Sequence, residues 1–295
     1  MDEVRPCYTG FVTLMVLVLL QITCRADDNY TNSTCFPSSC GNLRNISTPF
    51  RLTGDPENCG DKRYSLYCEN NITVLYLFSR KYYVHEINYP LYTIRLADAG
   101  IQRDNCSSIP SYSLTSYDLN SPLFSTAYYR LKRNESLLGR NSLSTLTRIE
   151  LTKLIIYLNC ANPVTSHLYV NTAPCINATN TSSSSLKHSY VLVGGSTALQ
   201  LRASCQIEQM FVTSNKAGMF DGGNNMSYVS VHNQLLHGFE LSWLDAVRDP
   251  QNESRCYLDD SKQVHCVSLC SYNSEVDNHY YGVEAIEQCG EINTA

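Results

Sequence analysis

Cysteine, histidine and paired carboxylates are the residue types in this chain that could do chemistry, and each occurs at a spacing worth testing. Cys266-x3-Cys270 with His265 beside it could supply half of a zinc site, because thiolate and imidazole are the donors zinc prefers. In an oxidising compartment the same thiols become half-cystines, and ten further cysteines beyond residue 26 favour that outcome. Gly194-Gly-Ser196 has the look of a nucleophile loop but lacks the x-Gly that completes a nucleophile elbow, and no acid or base accompanies it; it reads as a tight turn. Asp245 and Asp249 could pair like glycosidase carboxylates, but they stand beside Arg248 in a charged stretch that reads as a solvated face. His85 and His232 lack ligand spacing. The sequence therefore predicts no catalytic site, no metal site and no cofactor.

Binding is the remaining class, and for an anionic ligand the residues that matter are cations. Arginine's planar fork matches a carboxylate at two points, which makes it the better partner. The first part of the chain offers Arg44, Arg51, Lys62, Arg63, Arg80, Lys81, Arg95 and Arg103. Arg80-Lys81, read as a turn between strands, is the pair expected to point outward. A denser run follows at Arg130, Lys132, Arg133 and Arg140, behind Tyr128-Tyr129. The ligand-binding candidates are accordingly Arg80, Lys81, Arg95, Arg130, Lys132 and Arg133. From Asp27 to Cys160 there are 14 Lys and Arg against 12 Asp and Glu, and from Ala161 onward 6 against 13, within a net charge of −5. So weak a basic surplus excludes nucleic acid as a partner but is compatible with an acidic ligand.

These groups need a scaffold and a compartment. Arg5, an apolar run from Phe11 to Leu20 and Cys24-Arg25-Ala26 read as a secretory signal over residues 1–26, since the run is too short to span a bilayer of ~30 Å. Its removal takes Cys7 and Cys24 away and leaves an even set: Cys35, Cys40, Cys59, Cys68, Cys106, Cys160, Cys175, Cys205, Cys256, Cys266, Cys270 and Cys289. Even numbers in an exported chain argue for disulfides. Ten sequons, at Asn29, Asn32, Asn45, Asn71, Asn105, Asn134, Asn177, Asn180, Asn225 and Asn252, point to a secreted glycoprotein. The expected location is extracellular, in the cell wall or apoplast, with membrane association if the chain belongs to a longer receptor or keeps its N-terminal segment.

With 21 tyrosines, one tryptophan and charged residues at only 17 %, the composition favours strands. Ile72–Phe78, Tyr82–Ile87 and Tyr92–Ala97 are β-branched, aromatic runs that read as a meander. Ile149–Tyr157 reads as one strand delivering Cys160. Tyr190–Val193, Leu199–Leu201 and Gly238–Trp243 read as further strands, with Phe239, Leu241 and Trp243 on one face. The only helix expected is at Tyr281–Gln288. The fold class is thus mainly β and disulfide-rich, with two cysteine-rich modules and little helix: a mobile leader at 27–34, a first module at 35–110 closed by Cys106, connecting strands and loops at 111–159, and a C-terminal module at 160–295.

Read as a string, the first cluster is Cys35-x4-Cys40-Gly41, Asn45-Ile-Ser-Thr-Pro-Phe50, Cys59-Gly60 and Tyr64-Ser-Leu-Tyr-Cys68, followed by Ile94-Arg-Leu-Ala-Asp98-x-Gly100. It resembles the galacturonan-binding module of plant wall-associated receptor kinases and of leaf-rust-resistance-type receptor kinases. Tyr190-Val, Ser204-Cys205-x-Ile207, Gly238-Phe-Glu-Leu-x-Trp243 and the last four cysteines are similar to the cysteine-rich module that follows it there, although the family's usual small-Gly-Gly-x-Cys-Gly ending is reduced to Gln288-Cys289-Gly290. The resemblance implies a non-catalytic module binding pectin's galacturonan in a cell-wall receptor-like protein. The alternative is a protein- or peptide-binding receptor ectodomain in defence signalling, with a receptor partner.

The two cysteine blocks flank 53 residues without a cysteine, so pairing is expected mostly within Cys35–Cys106 and within Cys160–Cys289. The secreted chain should show six disulfides and no alkylatable thiol, as read by intact mass before and after reduction.

Overall fold

Tyrosine, valine, isoleucine and leucine alternating with polar residues pack one side of a pleated strand and wet the other, and this chain turns that pattern into sheets. The computed structural model describes residues 34–133, 144–176, 188–194, 201–214, 226–248 and 254–268. The strands are β1 (Ser38–Cys40), β2 (Leu43–Ile46), β3 (Arg51–Leu52), β4 (Ser65–Glu69), β5 (Ile72–Leu77) and β6 (Arg80–Asn88). After them come β7 (Thr93–Asp98), β8 (Ala127–Arg133), β9 (Ser144–Glu150), β10 (Thr152–Cys160) and β11 (Tyr169–Asn171). The last are β12 (His188–Val193), β13 (Cys205–Ser214), β14 (Phe239–Ser242), β15 (Ser254–Leu258) and β16 (Val264–Ser268). Among the described residues two α-helices accompany them, a single turn α1 (Ser116–Leu119) and α2 (Tyr228–His237). The fold is mainly β, as its composition implies.

The meander forms where the sequence places it. β4, β5, β6 and β7 pair antiparallel in succession inside a six-stranded sheet of order β14-β7-β6-β5-β4-β3. The β4–β5 connection is Asn70-Asn71, both at positive φ (51° and 62°); this is the turn geometry that matches strand twist, and asparagine tolerates it. A second sheet has the order β11-β12-β10-β13 and a third β16-β15-β8-β9.

Beneath the six-stranded sheet lies the main core: Phe50, Tyr64, Leu66, Leu75, Tyr82, Ile94, Leu96 and Phe124, with Phe239, Leu241 and Trp243 from far along the chain. Phe50 sits edge-on to both Tyr64 and Trp243, each at 5.5 Å between ring centres, the arrangement ring quadrupoles favour. Phe239, Leu241 and Trp243 do share a buried face, and they reach it because β14 pairs with β7 through Phe239↔Leu96 and Leu241↔Ile94. A second core joins Ile155, Tyr157, Val191 and Phe211 to Val231 and Leu235 of α2.

Several expectations need correction. Helix α2 falls where no helix was anticipated. Its two valines and tyrosine are weak helix formers, but Tyr228, Val231 and Leu235 fall on one face, Ser227 caps the first turn by accepting from the Ser230 N–H, and Gly238 ends it at φ 86°. Ile149–Tyr157 is two strands, because buried Leu151 separates β9 from β10. Arg80 and Lys81 are not a turn: they open β6, and the turn is Phe78-Ser79, both at positive φ. Cys106 does not close the first module but bonds Cys175, across the two cysteine blocks. The other pairs are local, Cys40–Cys68, Cys160–Cys205 and Cys256–Cys266, and Cys35 and Cys59 are also disulfide-bonded. The expected signal at 1–26, most of the leader at 27–34, Gly195, Ser196, residues 199 and 200, the helix at 281–288, Cys270 and Cys289 lie outside the described residues.

Gly238 is where α2 hands over to β14. A Cβ there would stand 2.0 Å from the Leu96 carbonyl oxygen, against backbone that cannot yield. Gly238→Ala should lower the unfolding free energy by more than about 1 kcal/mol, whereas Gly54→Ala, with nothing within 4 Å, should stay within about 0.5 kcal/mol. Urea denaturation of the two variants with disulfides intact tests the difference.

Candidate functional site

The pleat decides which cations of the first module can meet a ligand. Along β5, Thr73, Leu75 and Leu77 turn toward the core, so Ile72, Val74 and Tyr76 face outward. Register carries this outward face across the sheet as the row Tyr67–Val74–Tyr83–Ala97, with Tyr76 opposite Lys81 in the next row. Arg80 and Lys81, being consecutive strand residues, therefore leave opposite faces. Arg80 donates to the Ser113 carbonyl (2.8 Å) and lies 4.8 Å from the centre of the Tyr112 ring. Lys81 stays on the outward face with the tyrosines.

There Glu69 acts as a clasp. Its carboxylate accepts from Lys81 Nζ at 2.7 Å and from the Tyr76 hydroxyl at 2.8 Å, while Lys81 Nζ sits 5.7 Å from the Tyr83 ring centre. The Tyr67 and Tyr76 rings meet edge-on at 5.2 Å. Val74, although on the outward face, is 0 % exposed, and the register sets it between Tyr67 and Tyr83. The Lys81 hydrogen bond, with the Tyr76 bond behind it, holds the Glu69 carboxyl below its ordinary value. The same contacts push Lys81 and the Tyr76 hydroxyl up.

Other cations of the module also carry their own counter-charge. Arg95, with a side chain 13 % exposed, pairs with Glu86 and lies 3.7 Å from Glu240. It also stands 2.6 Å from His237 Nε2. Beside it is a cavity of about 260 Å³ lined by Glu86, Asn88, Thr93, Glu150 and Glu240, whose acidity makes it a poor host for a uronate. Lys62 pairs with Glu57 and Arg63 with Asp61. Arg51 is buried and donates to the Asp55 carbonyl. Among the described residues, Arg44 and Arg103 are exposed and form no ion pair.

The second basic run lies on a different sheet. Arg130 of β8 is 3.7 Å from Asp260, and Lys132 is exposed on the same strand. The side chain of Arg133 and all of Arg140 lie outside the described residues. Tyr128 packs against the small cluster of Leu244, Cys256 and Leu258 rather than facing a ligand. The structure thus brings Lys81 together with tyrosines and a carboxylate; Arg95 shares that face of the sheet with Ala97 but is held by Glu86 and Glu240, and Arg80 and Arg130 lie elsewhere. What cation counting missed is the tyrosine row. Its signal was the outward parity of Tyr67, Val74, Tyr76 and Tyr83 once the strand registers are drawn.

The residues singled out for chemistry are only partly described. Cys266 bonds Cys256, and His265 reaches Asp259 at 2.9 Å. His232 is buried, with its Nε2 3.1 Å from Ser108 Oγ, and burial lowers its pKa. Asp245 belongs to a short 3-10 turn, and Asp249 lies outside the described residues. Among the described residues, no cluster of three or more His, Cys, Asp or Glu could hold a metal, and no helix is long and apolar enough to cross a membrane. Of the sequons, Asn45, Asn71 and Asn105 are described, and all three are exposed; Asn29, Asn32, Asn134, Asn177, Asn180, Asn225 and Asn252 are not. Thr73 of the Asn71 sequon is buried and donates to the Cys40 carbonyl at 3.0 Å.

Residues 35–98, from the first cysteine through β7, match a protein family described as wall-associated receptor kinase galacturonan-binding. This stretch is similar to the galacturonan-binding part of such receptors. The match ends before the C-terminal cysteine-rich part, whose resemblance stands on its quoted residues alone. No curated protein matches the chain, and no solved structure matches it.

A carboxylate whose folded-state pKa is depressed stabilises the fold above its unfolded pKa and loses that contribution as pH falls through the folded one. For Glu69 that window lies below the ordinary value of 4.5. Carboxyl-carbon NMR should show Glu69 titrating below that value, and Lys81→Met should move its midpoint upward toward it.

Proposed function

We propose that this chain is the extracellular, non-catalytic polysaccharide-binding part of a plant cell-wall receptor-like protein, and that residues 35–98 bind galacturonan. The observation that carries the reading is the family match, which covers the hairpin β1–β2 and strands β3–β7, five of the six strands of the main sheet. These strands keep the outward face of β4–β6 open to solvent on a sheet braced from below by the aromatic core, as a module that meets an extended polymer requires. The assignments to a secreted location, to pectin as partner and to a larger receptor belong to the same proposal.

The charge pattern limits the strength of such a complex. With Lys62, Arg63, Lys81 and Arg95 already paired within the module, an incoming uronate competes with a carboxylate in place. An exposed pair contributes only ~0–1 kcal/mol. Useful affinity then requires several contacts along one polymer, and binding should grow with chain length.

The test is a carbohydrate array probed with the glycosylated full chain. It should retain galacturonan oligomers in order of length, hold them more tightly than galactan oligomers of equal length, and release no new reducing ends on prolonged incubation. Equal retention of galactan, or cleavage of the bound oligomer, would reject the reading.

A further inference from the structure

We infer that the outward face of β4–β6 is a stacking platform for the pyranose rings of the polysaccharide, built on Tyr67, Tyr76 and Tyr83, and that it grips sugar faces irrespective of the charge on their carboxyls. The inference deepens the galacturonan reading and rests on it.

Three observations carry it. The rings are exposed yet fixed: Tyr67 and Tyr76 are 40 % and 43 % exposed, but they brace each other edge-on at 5.2 Å, and Glu69 holds the Tyr76 hydroxyl. Order already present in the free protein need not be imposed on binding, and tyrosine combines a flat apolar body with a polar tip. The C–H groups on one face of a pyranose ring are a chemical match for such a surface. Secondly, the charges on this face cancel. Lys81 and Glu69 form one closed pair at 2.7 Å, so the platform offers a polyanion no net attraction, and its contribution to affinity comes from ring contact. Finally, the face is left accessible at one end. The Asn71 sequon sits in the β4–β5 turn, while the other end of β5 leads to Phe78, 56 % exposed at the β5–β6 turn. Seven residue steps, through the six residues of β5, separate the two by roughly 23 Å, so a glycan on Asn71 flanks the far end and leaves the Tyr76 end free.

Phe78 adds an independent hint. A bulky residue at φ 53° occupies a region that phenylalanine rarely adopts, a cost that a sequence retains where the side chain has a use.

The experiment measures dissociation constants of the glycosylated full chain for galacturonan oligomers of one length, either fully de-esterified or fully methyl-esterified. The variants are Tyr67→Ala/Tyr76→Ala, Tyr76→Phe and Arg44→Ala/Arg103→Ala. The double tyrosine variant should lose at least ~10-fold in affinity, by the same factor for both oligomers, and the loss should persist in high salt. Tyr76→Phe, which keeps the ring but not the Glu69 bond, should stay within ~3-fold of the parent. The arginine variant should weaken only the de-esterified oligomer. Because removing two rings uncovers Val74, thermal unfolding is recorded alongside, and Tyr76→Phe reports on the bond without uncovering it. A double tyrosine variant that binds like the parent overturns the platform while the galacturonan reading stands. A loss confined to the acidic oligomer also overturns it, by showing that charge is the grip. A parent chain that binds neither oligomer rejects the galacturonan reading and the platform with it.

Discussion

The antiparallel pairing of Phe239–Ser242 with Thr93–Asp98 is the contact on which the rest of this molecule depends. Without it the meander has an open edge at β7, and the main core lacks Phe239, Leu241 and Trp243, the groups that close it against Phe50, Tyr82 and Tyr92. An unpaired strand edge is also a template for association with other chains. The sheet that presents the tyrosine face is thus completed by a segment some 140 residues further along. Cys106–Cys175 ties the chain just past β7 to the segment that follows β11 of the second sheet, and closing a loop of 69 residues restricts the unfolded chain strongly. The described residues from Pro37 onward group as one compact unit.

Electrostatics plays a quieter part than a list of cations suggests. Lys62, Arg63, Lys81 and Arg95 each find a carboxylate on a neighbouring residue or strand. Opposite charges placed across a sheet stabilise the pairing of its strands, and for Arg95, between Glu86 and Glu240, that is the evident role. A charge that holds two strands together is not free to hold a ligand. What remains is the aromatic surface around Tyr67 and Tyr76, with Arg44 and Arg103 as exposed cations that form no ion pair among the described residues.

The meander was legible because Ile72–Leu77 and the two runs after it are rich in the β-branched and aromatic residues that pack on a pleated strand. The core face of β14 was legible because Phe239, Leu241 and Trp243 alternate with polar residues. The position of Arg80-Lys81 was not. Ser-Arg-Lys looks like a polar turn, and a turn built from Phe78 and Ser79 at positive φ runs against residue preference, so local chemistry pointed one residue too late. That single step decides which face Lys81 occupies. Helix α2 was hidden by its β-branched residues, and its caps, Ser227 and Gly238, were the available clue. Cys106–Cys175 was beyond reach, since spacing does not specify connectivity. The tyrosine face needed the registers of three strands at once, which no single segment contains.

The hydrogen bond from Thr73 to the Cys40 carbonyl has a consequence for biosynthesis. Enzymes that attach N-linked glycans read the hydroxyl two residues past the asparagine as well as the asparagine itself, and in the folded chain that hydroxyl is turned inward with Thr73 3 % exposed. The acceptor is readable only before β5 docks against the β1 segment and Cys40 meets Cys68. If the chain is exported and this sequon is used, sugar transfer at Asn71 would run in competition with oxidation of that cysteine pair, and the fraction of molecules carrying sugar there would record which of the two events came first.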